Sequence, residues 1–576
     1  MTAWRAGFGV GSITAFEPGL CMFGWGHPRN VCEGVEMPLY ARALVLEEAS
    51  TGRRIAYVVC DLGMISESIR QEVSRRLCTA ENLLTDHDLM ITATHTHSGP
   101  GGFSTYLFYA ISIPGVSQRV HDEIVDGIVA AVLAALRALR PARAWLHAGW
   151  IPASEPVAFN RSPAAYNRNE DATPVTWERR DEAVDRTMTL LRVEDEHGVP
   201  MGMLSWFPVH GTSLHWEQGE LHGDNKGHAA QVCEAWGREQ GYPGFVALFA
   251  QESAGDVSPN YRWSDARRLM IGRYDDDHDS TRFNGDVQAR HARALFALAR
   301  SEGSELAGPL EAGIRYRDFF DRPADSRFTR VSDARTAPPR LGIAFSVGTL
   351  EGQGPFFALR SIFPLFSRLQ AWNMQREAAD SWRKPHGPKF PFWDFGRGRN
   401  NKILGKLPQV NPALFLFGTD RYVGYYRKAV LKPAASEVSW VPRYLPIQQL
   451  RIGQLLIAGM PNEPTTVSGR RLRGALDSAW AGQGVERIVI GAYSNAYCGY
   501  LTTPEEYQEQ AYEGASTLYG QWSLPVFCTE HVELTRAMLS GEGRSSLGEP
   551  PPRIPFDWCL AAEVRPGARV SEQPAR

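Results

Sequence analysis

The chain has 576 residues with a formal net charge of −3; 43% of its residues are hydrophobic and 22% are charged. This composition is typical of a globular protein with enough material for two to four domains of ordinary size. The weak net charge gives no electrostatic case for binding nucleic acid or an anionic membrane surface, and the eight cysteines include no CxxC pair that would indicate a zinc ribbon.

The start of the chain predicts no secretion signal. Its first residues lead directly into the strand-like run AGFGVGSITAF, whereas a signal peptide needs a basic start and a continuous apolar segment. The longest apolar stretch, residues 124–139, contains Asp126 and Arg137 and is too short to span a bilayer, so it predicts a core helix. We therefore expect a cytoplasmic protein without a transmembrane segment.

Apolar runs with strand character alternate with helical segments from Ala43 to about Arg300. This alternation favours an α/β fold with a mixed central sheet flanked by helices. The predicted strands are 54–60, 88–94, 201–207, 244–250, 453–458 and 487–491. The predicted helices are 66–78, 117–139, 226–240, 284–302 and 505–515.

The segment from Leu350 to Tyr444 interrupts this alternation and is rich in Phe, Trp, Pro and Arg. We interpret it as an insertion that forms a wall or lid of the substrate pocket, although its aromatic side chains would serve equally well to fill a core. Six aromatic residues support an apolar route to the site: Phe356, Phe357, Phe363, Phe366, Trp372 and Trp393. Residues 548–576 begin with a proline-rich run and are predicted to be a tail, which leaves 1–547 as one catalytic domain.

The most informative motif is ATHTHSGPGG, residues 93–102, which directly follows an apolar run. An apolar run that ends in Gly and Pro predicts a buried strand leading into a tight turn. Because strand side chains alternate between faces, we expect His95 and His97 on the same side at the carboxyl end of the strand. Two histidines do not complete a zinc site, and an isolated pair is more often bonded to the backbone of a turn.

Other polar residues also follow predicted strands. His210, Glu463 and Tyr500 each come after one of them, the last at the end of the string SNAYCGY. Ligand sites in α/β sheets lie outside the carboxyl ends of strands. Two histidines and a glutamate brought together there form an open zinc site that keeps one position for water, which is the chemistry of hydrolysis.

A further strand end carries QESAGDVSPN, with Ser258 two residues beyond Asp256. The G-x-S-x-G turn of serine hydrolases is missing from this sequence, so a Ser-His-Asp mechanism is unsupported. Ser258 is either a functional group or a turn residue that caps its neighbours, and the residues leave both interpretations open.

Eight motifs span most of residues 5–520: ATHTHSGPGG, FNRSPAAY, FPVHGTS, GDNKG, GDVSPN, SGRRLR, TTPEEY and YEGASTLYG. In these motifs the chain resembles the neutral (non-lysosomal) ceramidase family, zinc amidohydrolases that cleave the amide bond of N-acylsphingosines. The motifs are long and ordered, so the resemblance is specific. It implies one catalytic zinc ion with four ligands: His95, His210, Glu463 and Tyr500. Tyr497 is a nearby competitor of Tyr500.

The resemblance also implies that His97, Arg161 and Tyr512 face the scissile amide. Each role is physically sensible, because an arginine supplies fixed charge, a tyrosine donates to an oxyanion and a histidine handles a proton. Ser258 matches a functionally important serine of the family, as nucleophile or as positioning group. Asp224 and Asn225 match a family motif too, although they also precede a helix and are candidate caps.

The sequence departs from the family pattern in three features. Family members usually carry a secretion signal and a carboxyl-terminal immunoglobulin-like sandwich of about 100 residues, and the sequence after Leu547 is too short for the sandwich. Pro464 follows Glu463 where the family prefers a large apolar residue.

The resemblance implies a hydrolase of linear amide bonds that cleaves ceramide, or a related N-acyl lipid, to fatty acid and amine. The alternatives are the same zinc chemistry on a soluble N-acyl amide or N-acyl amino acid, and a zinc-containing lipid-binding protein without turnover. The predicted catalytic residues argue against the last, since zinc binding needs none of them. The expected partner is a small amphipathic N-acyl substrate, with peripheral membrane contact left open.

Overall fold

The structure is a computed structural model. It describes residues 4–27, 29–80, 83–111, 113, 116–354, 357–362, 365, 369, 384–395, 402–403, 407–408, 439–543 and 548–554. Within these residues the architecture consists of a large mixed sheet, a smaller sheet packed on one of its faces, and helices on the remaining faces.

The large sheet has nine strands among the described residues. Its order is Val246–Ala250, Pro200–Trp206, Thr187–Asp195, Arg140–Trp150, Trp4–Ser12, Tyr40–Glu48, Arg54–Cys60 and Leu89–Ala93, with Ser304–Glu305 beside Arg140–Trp150. The pairs at the two ends of this order are parallel, and the inner pairs are antiparallel. The predicted mixed central sheet is therefore confirmed.

The smaller sheet follows the order Leu310–Asp318, Tyr444–Ile452, Leu455–Gly459 and Arg487–Gly491. Its last pair is parallel. Leu450 and Ile457 from this sheet share one buried core with Leu44 and Leu204 from the large sheet. The two sheets are thus stabilised by the same apolar layer.

Short strand pairs connect the loops around the sheets. They are Met22–Phe23 with Gly99–Pro100, Gly34–Val35 with Glu220–Leu221, Phe159–Asn160 with Val257–Ser258, Arg262–Ser264 with Leu269–Ile271, and Glu463–Pro464 with Tyr500–Leu501. A further small sheet joins Arg340–Gly342, Pro391–Asp394, Lys402–Ile403 and Leu407–Pro408. The segment predicted to begin at Leu350 therefore pairs with strand residues that precede it.

The α-helices are Glu67–Ser74, Leu107–Ile111, Gln118–Arg137, Pro163–Tyr166, Asp224–Glu239, Asp277–Glu302, Thr466–Ala479, Pro504–Tyr507, Tyr512–Ser516 and Ser523–Leu539. A π-helical turn, Arg75–Ala80, continues the first of them. Short 3-10 helices lie at Arg180–Glu182, Trp216–Gln218, Ser326–Phe328, Ile343–Val347 and Phe357–Leu359.

The six predicted strands are confirmed to within two residues at each end. The predicted helix 284–302 begins earlier, at Asp277, because Asp276 caps it by accepting from the amide of Asp279. The prediction of one helix over 505–515 is wrong. Two short helices occupy this range, and Gln510 between them has a left-handed φ of 51° that no continuous helix accepts.

The apolar stretch 124–139 lies in the helix Gln118–Arg137, which packs on the strand Trp4–Ser12. A Cβ atom at Gly7 would lie 2.0 Å from the carbonyl oxygen of Ala135. The strand and the helix are therefore in backbone contact, which only glycine permits at this position. Among the described residues, no helix combines the length and the apolar character that crossing a bilayer requires.

The beginning of the predicted tail, residues 548–554, runs along the surface of the fold. Gln71 Nε2 donates to the carbonyl oxygen of Pro551 at 3.1 Å, and Arg553 pairs with Glu72 at 2.6 Å. The remainder of the tail, 555–576, lies outside the described residues.

Candidate metal centre and active site

The site lies where the loops that follow the two edge strands of the large sheet meet. Leu89–Ala93 and Val246–Ala250 stand at opposite ends of the strand order, yet Gln251 Nε2 donates to the carbonyl oxygen of Thr94 at 2.9 Å. The amide of His97 also donates to the carbonyl oxygen of Gly211 at 2.9 Å. The loops that follow these strands are therefore in contact with one another.

Five buried side chains converge at this junction. Glu463 Oε2 lies 3.3 Å from His95 Nε2 and 3.0 Å from His210 Nε2. His97 Nε2 lies 3.1 Å from His95 Nε2, and ligand atoms of the three histidines are all within 4.8 Å of one another. The Tyr500 hydroxyl is 3.5 Å from His210 Nε2. The fold thus brings together the four residues named as ligands and adds His97.

Two of the three histidines are oriented by the backbone. His95 Nδ1 bonds to the carbonyl oxygen of Gly63 at 2.5 Å, and His210 Nδ1 to that of Val257 at 3.0 Å. An imidazole that donates from Nδ1 presents the lone pair of Nε2, which is the arrangement of a metal ligand. His97 Nδ1 has no hydrogen-bond partner among the described residues. Burial, with the two neighbouring histidines, holds the pKa of His97 well below its usual value.

The prediction that strand alternation places His95 and His97 on the same side is wrong. The strand ends at Ala93, and His95 has a left-handed φ of 64°, so a turn rather than strand alternation brings the imidazoles together. Tyr493, whose ring stacks on His95 with centroids 4.2 Å apart, has a φ of 57°. Such conformations cost about 1–3 kcal/mol each and cluster at functional sites.

Two tyrosines hold the Glu463 carboxylate. The Tyr497 hydroxyl donates to Oε1, and the Tyr493 hydroxyl donates to Oε2 at 3.4 Å. Tyr497, the competitor of Tyr500, therefore contacts the oxygen that points away from the histidines. Tyr493 was missed by the sequence reasoning, although it directly precedes the string SNAYCGY that ends at Tyr500.

The pairing of Glu463–Pro464 with Tyr500–Leu501 is parallel and sets Glu463 opposite Tyr500. The amides of Glu463 and Thr465 donate across this pair, to Gly499 at 3.0 Å and to Leu501 at 2.9 Å. The nitrogen between them belongs to Pro464 and faces away from the partner strand. A proline is therefore accommodated here without losing a ladder hydrogen bond.

Arg161 connects the cluster to the adjoining cleft. Its Nε donates to Glu513 at 2.8 Å and its Nη1 to Glu351 at 2.9 Å. Its Nη2 donates to the Tyr500 hydroxyl and to the carbonyl oxygen of Gly255, both at 2.9 Å. The guanidinium is thus fixed between two buried carboxylates and points at a residue of the cluster.

Ser258 is both a turn residue and part of the site. Its Oγ accepts from the amide of Asn260 at 2.9 Å and donates to Glu351 Oε2. Burial raises the pKa of Glu351, but Arg161, His210 and the hydrogen bonds from Ser258 and Asn260 together outweigh burial, and the net shift is downward. Glu351 was missed because nothing in LEGQGP distinguishes it from an ordinary loop carboxylate.

Asp224 and Asn225 brace the loop that carries His210. The residue at the cap position of the helix Asp224–Glu239 is Gly223, without a side-chain bond, but Asp224 Oδ1 accepts from the first-turn amide of Asn225 at 2.6 Å. Asp224 Oδ1 accepts from the amide of Ser213 at 3.2 Å, and Asn225 Nδ2 donates to the carbonyl oxygen of His210 at 2.8 Å.

A cleft of about 280 Å³ adjoins the cluster. Its polar wall includes Arg161, Ser258, Asn260, Glu351 and Tyr512, and its apolar wall includes Trp177, Met270 and Phe357. The ring of Tyr512 lies edge-on to that of Tyr500, with centroids 5.4 Å apart. Burial raises the pKa of Tyr512, so its hydroxyl is a proton donor at neutral pH. The cleft therefore combines an apolar wall with a few polar anchors.

The two described residues of the predicted aromatic route have different positions. Phe357 lines the cleft. Trp393 packs on Phe395 and Trp440, with centroids 5.4 and 5.8 Å away, beside a separate core. The other four residues lie outside the described part of the chain: Phe356, Phe363, Phe366 and Trp372. The prediction thus fails for Trp393.

Residues 4–400 and 425–529 match the family model described as neutral/alkaline non-lysosomal ceramidase, N-terminal. The neutral ceramidase of Pseudomonas aeruginosa is 31% identical, with 93% of this chain and 72% of that protein covered. Neutral ceramidase B of Dictyostelium discoideum is 30% identical, with coverages of 94% and 73%.

A solved structure described as "Ceramidase complexed with C2" superposes with a TM-score of 0.78 at 31% identity, covering 96% of this chain and 78% of that one. The crystal structure of the Pseudomonas aeruginosa neutral ceramidase superposes with a TM-score of 0.74 at 30% identity, covering 97% and 78%. The match in sequence and fold extends over the whole site, and the chain belongs to the neutral/alkaline non-lysosomal ceramidase family.

Proposed function

We propose that the protein is a zinc-dependent amidohydrolase that cleaves the amide bond of ceramide to a fatty acid and sphingosine. The observation that carries the proposal is the convergence of His95, His210 and Glu463 beside a cleft with an apolar wall. The relatives named above as neutral ceramidases support ceramide as the substrate.

The donor set suits zinc. In a tetrahedral site with bonds of about 2.0–2.1 Å, neighbouring ligand atoms lie about 3.3 Å apart. Glu463 Oε2 stands 3.3 and 3.0 Å from the Nε2 atoms of His95 and His210, so the spacing is that of a ligand sphere. Tyr500 lies next to this set and would complete it.

His97 would also fit a set of three imidazoles. Unlike His95 and His210, it has no backbone carbonyl that fixes its tautomer among the described residues. We therefore assign His97 to proton handling at Nε2 and leave the ligand positions to the other four residues.

When bound, zinc polarises the amide carbonyl and makes water a stronger nucleophile at neutral pH. The protein supplies the remaining chemistry. The Tyr512 hydroxyl donates a hydrogen bond to the developing oxyanion, and Arg161 adds fixed positive charge beside Tyr500. His97 takes the proton of the nucleophile and returns it to the leaving amine. The apolar wall of the cleft contacts the hydrocarbon chains of the substrate.

Product analysis by mass spectrometry tests this function. The zinc-loaded protein is incubated with ceramides of several chain lengths, N-acyl amino acids and simple amides, and Glu463→Gln serves as the inactive control. We expect sphingosine and fatty acid in equal amounts from ceramide, and neither product from the variant. Cleavage of N-acyl amino acids or simple amides without cleavage of ceramide would assign the enzyme to soluble substrates instead.

A further inference from the structure

The imidazole of His97 is held differently from the other two of the metal cluster. The Nδ1 atoms of His95 and His210 bond to backbone carbonyl oxygens, whereas Nδ1 of His97 has no hydrogen-bond partner among the described residues. A group that transfers protons needs a fixed direction, because a displacement of about 1 Å can lower a rate about 100-fold. Packing must therefore supply the orientation that no bond at Nδ1 gives to His97.

The residues that follow the strand Met22–Phe23 supply this packing. The strand pairs with Gly99–Pro100, directly after the turn that carries His97. A Cβ atom at Gly24 would lie 2.4 Å from Cγ of His97, so the backbone at Gly24 lies against the imidazole. The indole of Trp25 stands at 82° to the same ring, with centroids 5.0 Å apart. Trp25 is thus the neighbour whose side chain packs on His97 from outside the metal cluster.

The indole of Trp25 is itself fixed on several sides. Its Nε1 donates to the carbonyl oxygen of Leu214 at 3.2 Å. Its face stacks on the imidazole of His215, with centroids 5.5 Å apart and an angle of 15° between the planes. A Cβ atom at Gly352 would lie 2.7 Å from Cζ3 of the indole. The ring therefore cannot turn away from His97 without losing contacts to two other loops.

The imidazole on which Trp25 stacks is also fixed. His215 Nδ1 bonds to Asp277 Oδ2 at 2.9 Å, and its Nε2 bonds to the carbonyl oxygen of Met270 at 3.1 Å. Arg267 Nη1 donates to the other oxygen of Asp277 at 2.7 Å. Rotation of the His215 ring would break bonds at both nitrogens. The stack thus gives Trp25 a rigid support on the side away from the metal cluster.

We propose that Trp25 is a positioning residue, whose indole holds the imidazole of His97 in the direction in which Nε2 handles the proton. The inference rests on the proposed function, which assigns proton handling to His97. Trp25 is not among the described residues that line the cleft. It therefore acts through His97 and not by contact with the substrate.

Kinetics of the zinc-loaded protein with ceramide test this role. Trp25→Ala should lower kcat about 10- to 100-fold, because the imidazole is no longer held in place. KM should change less than about threefold, since the indole does not line the cleft. Zinc content by elemental analysis should stay the same. Trp25→Phe keeps an aromatic ring against His97, so its kcat should lie within about fivefold of wild type.

A double-mutant cycle separates positioning from a merely structural role. In the His97→Ala background, Trp25→Ala should lower kcat by less than about threefold, because the group that the indole holds is gone. A residue that only stabilises the fold would cause the same loss in both backgrounds. Equal losses would therefore overturn the proposal and leave the proposed function intact.

Trp216→Ala is the matched control. Trp216 stacks on His27, two residues beyond Trp25, with centroids 3.7 Å apart. The variant loosens the same segment without removing the ring beside His97, so kcat should stay within about twofold of wild type. A loss as large as that of Trp25→Ala would overturn the proposal.

The substrate assignment and the positioning role can fail separately. If wild type cleaves another N-acyl amide but not ceramide, the same cycle on that amide decides the role of Trp25 while ceramide is excluded. If wild type cleaves no amide, the proposed function and the positioning role are refuted together.

Discussion

The metal cluster and the cleft wall share Arg161 as a neighbour, but they are held in different ways. His95 and His210 are oriented by backbone carbonyl groups, whereas Ser258 and Asn260 both donate to one side chain, the carboxylate of Glu351. Backbone contacts survive most side-chain replacements. Substitutions should therefore disturb the metal cluster mainly where they replace its proposed ligands. Replacement of Glu351 alone should disturb the whole polar wall of the cleft.

Glu463→Gln should have the largest effect, because it replaces the anionic ligand that contacts both histidines. We expect kcat/KM for ceramide to fall at least about 1000-fold and bound zinc to fall below about half an equivalent by elemental analysis. Glu239→Gln, an exposed position on a helix, is the control. Full zinc occupancy together with normal turnover would contradict the ligand assignment.

Tyr512→Phe and His97→Ala should separate chemistry from metal binding. Neither residue is assigned as a ligand, so zinc should stay bound in both variants. Loss of one positioned donor typically lowers the rate by about 100- to 1000-fold, and we expect kcat to fall by this amount. Turnover close to wild type in both zinc-loaded variants would show that the assigned roles are wrong.

Glu351→Gln tests the wall. The amide would present an NH2 group either to Arg161 or to the donors Ser258 and Asn260, so one set of hydrogen bonds must be lost. We expect kcat/KM to fall about 10- to 100-fold with the zinc content unchanged. A smaller loss is expected for Glu513→Gln, which also contacts Arg161 but not Ser258. Loss of zinc from Glu351→Gln would show that the wall and the cluster are one unit.

Tyr497→Phe removes the hydroxyl that bonds Glu463 Oε1. Groups that orient a metal ligand commonly contribute about 10-fold or more in metal affinity, so competition with a chelator should show a zinc Kd about 10-fold weaker. An unchanged Kd would mean that the pairing of Glu463–Pro464 with Tyr500–Leu501 alone positions the carboxylate.

Glu67 lies in neither the metal cluster nor the cleft wall. Its replacement should have the smallest effect on activity and should change only the stability of the fold. Burial raises the pKa of Glu67 to about 8 from 4.5, and its carboxyl accepts from the Tyr106 hydroxyl. Between these pH values the folded protein retains a proton that the unfolded chain has released. The stability that the protonated carboxyl provides is therefore complete below about pH 4.5 and is lost as the pH rises towards 8.

Glu67→Gln should remove this dependence while leaving kcat/KM at neutral pH intact. The melting temperature of the variant minus that of wild type should grow between pH 5 and about 8. A difference that stays constant over this range would mean that Glu67 is ionised in the folded protein.

The sequence predicted the strands well because buried strands have continuous apolar runs, as in Arg54–Cys60 and Arg487–Gly491. It was less successful where a single residue decides the backbone path. Gln510, with its φ of 51°, divides the predicted helix 505–515, and no periodicity reveals such a break.

The candidate ligands were identified from strand ends and family motifs, and the fold brings them together. Glu351 and Tyr493 could not be found in the same way. Each acts through contacts with residues that are remote in sequence, such as Glu351 with Ser258 and Asn260. These contacts form only when loops from distant parts of the chain meet, as the bond from Gln251 to Thr94 shows.

The spread of the proposed ligands along the chain also has a consequence for the synthesis of the protein. A nascent chain that ends before Glu463 carries only His95 and His210, and the set is complete only when Tyr500 has left the ribosome. Because the proposed ligands come from such distant parts of the chain, a metal ion would be acquired only after nearly all of the polypeptide has been made. A chain that ends before Tyr500 is therefore expected to be inactive.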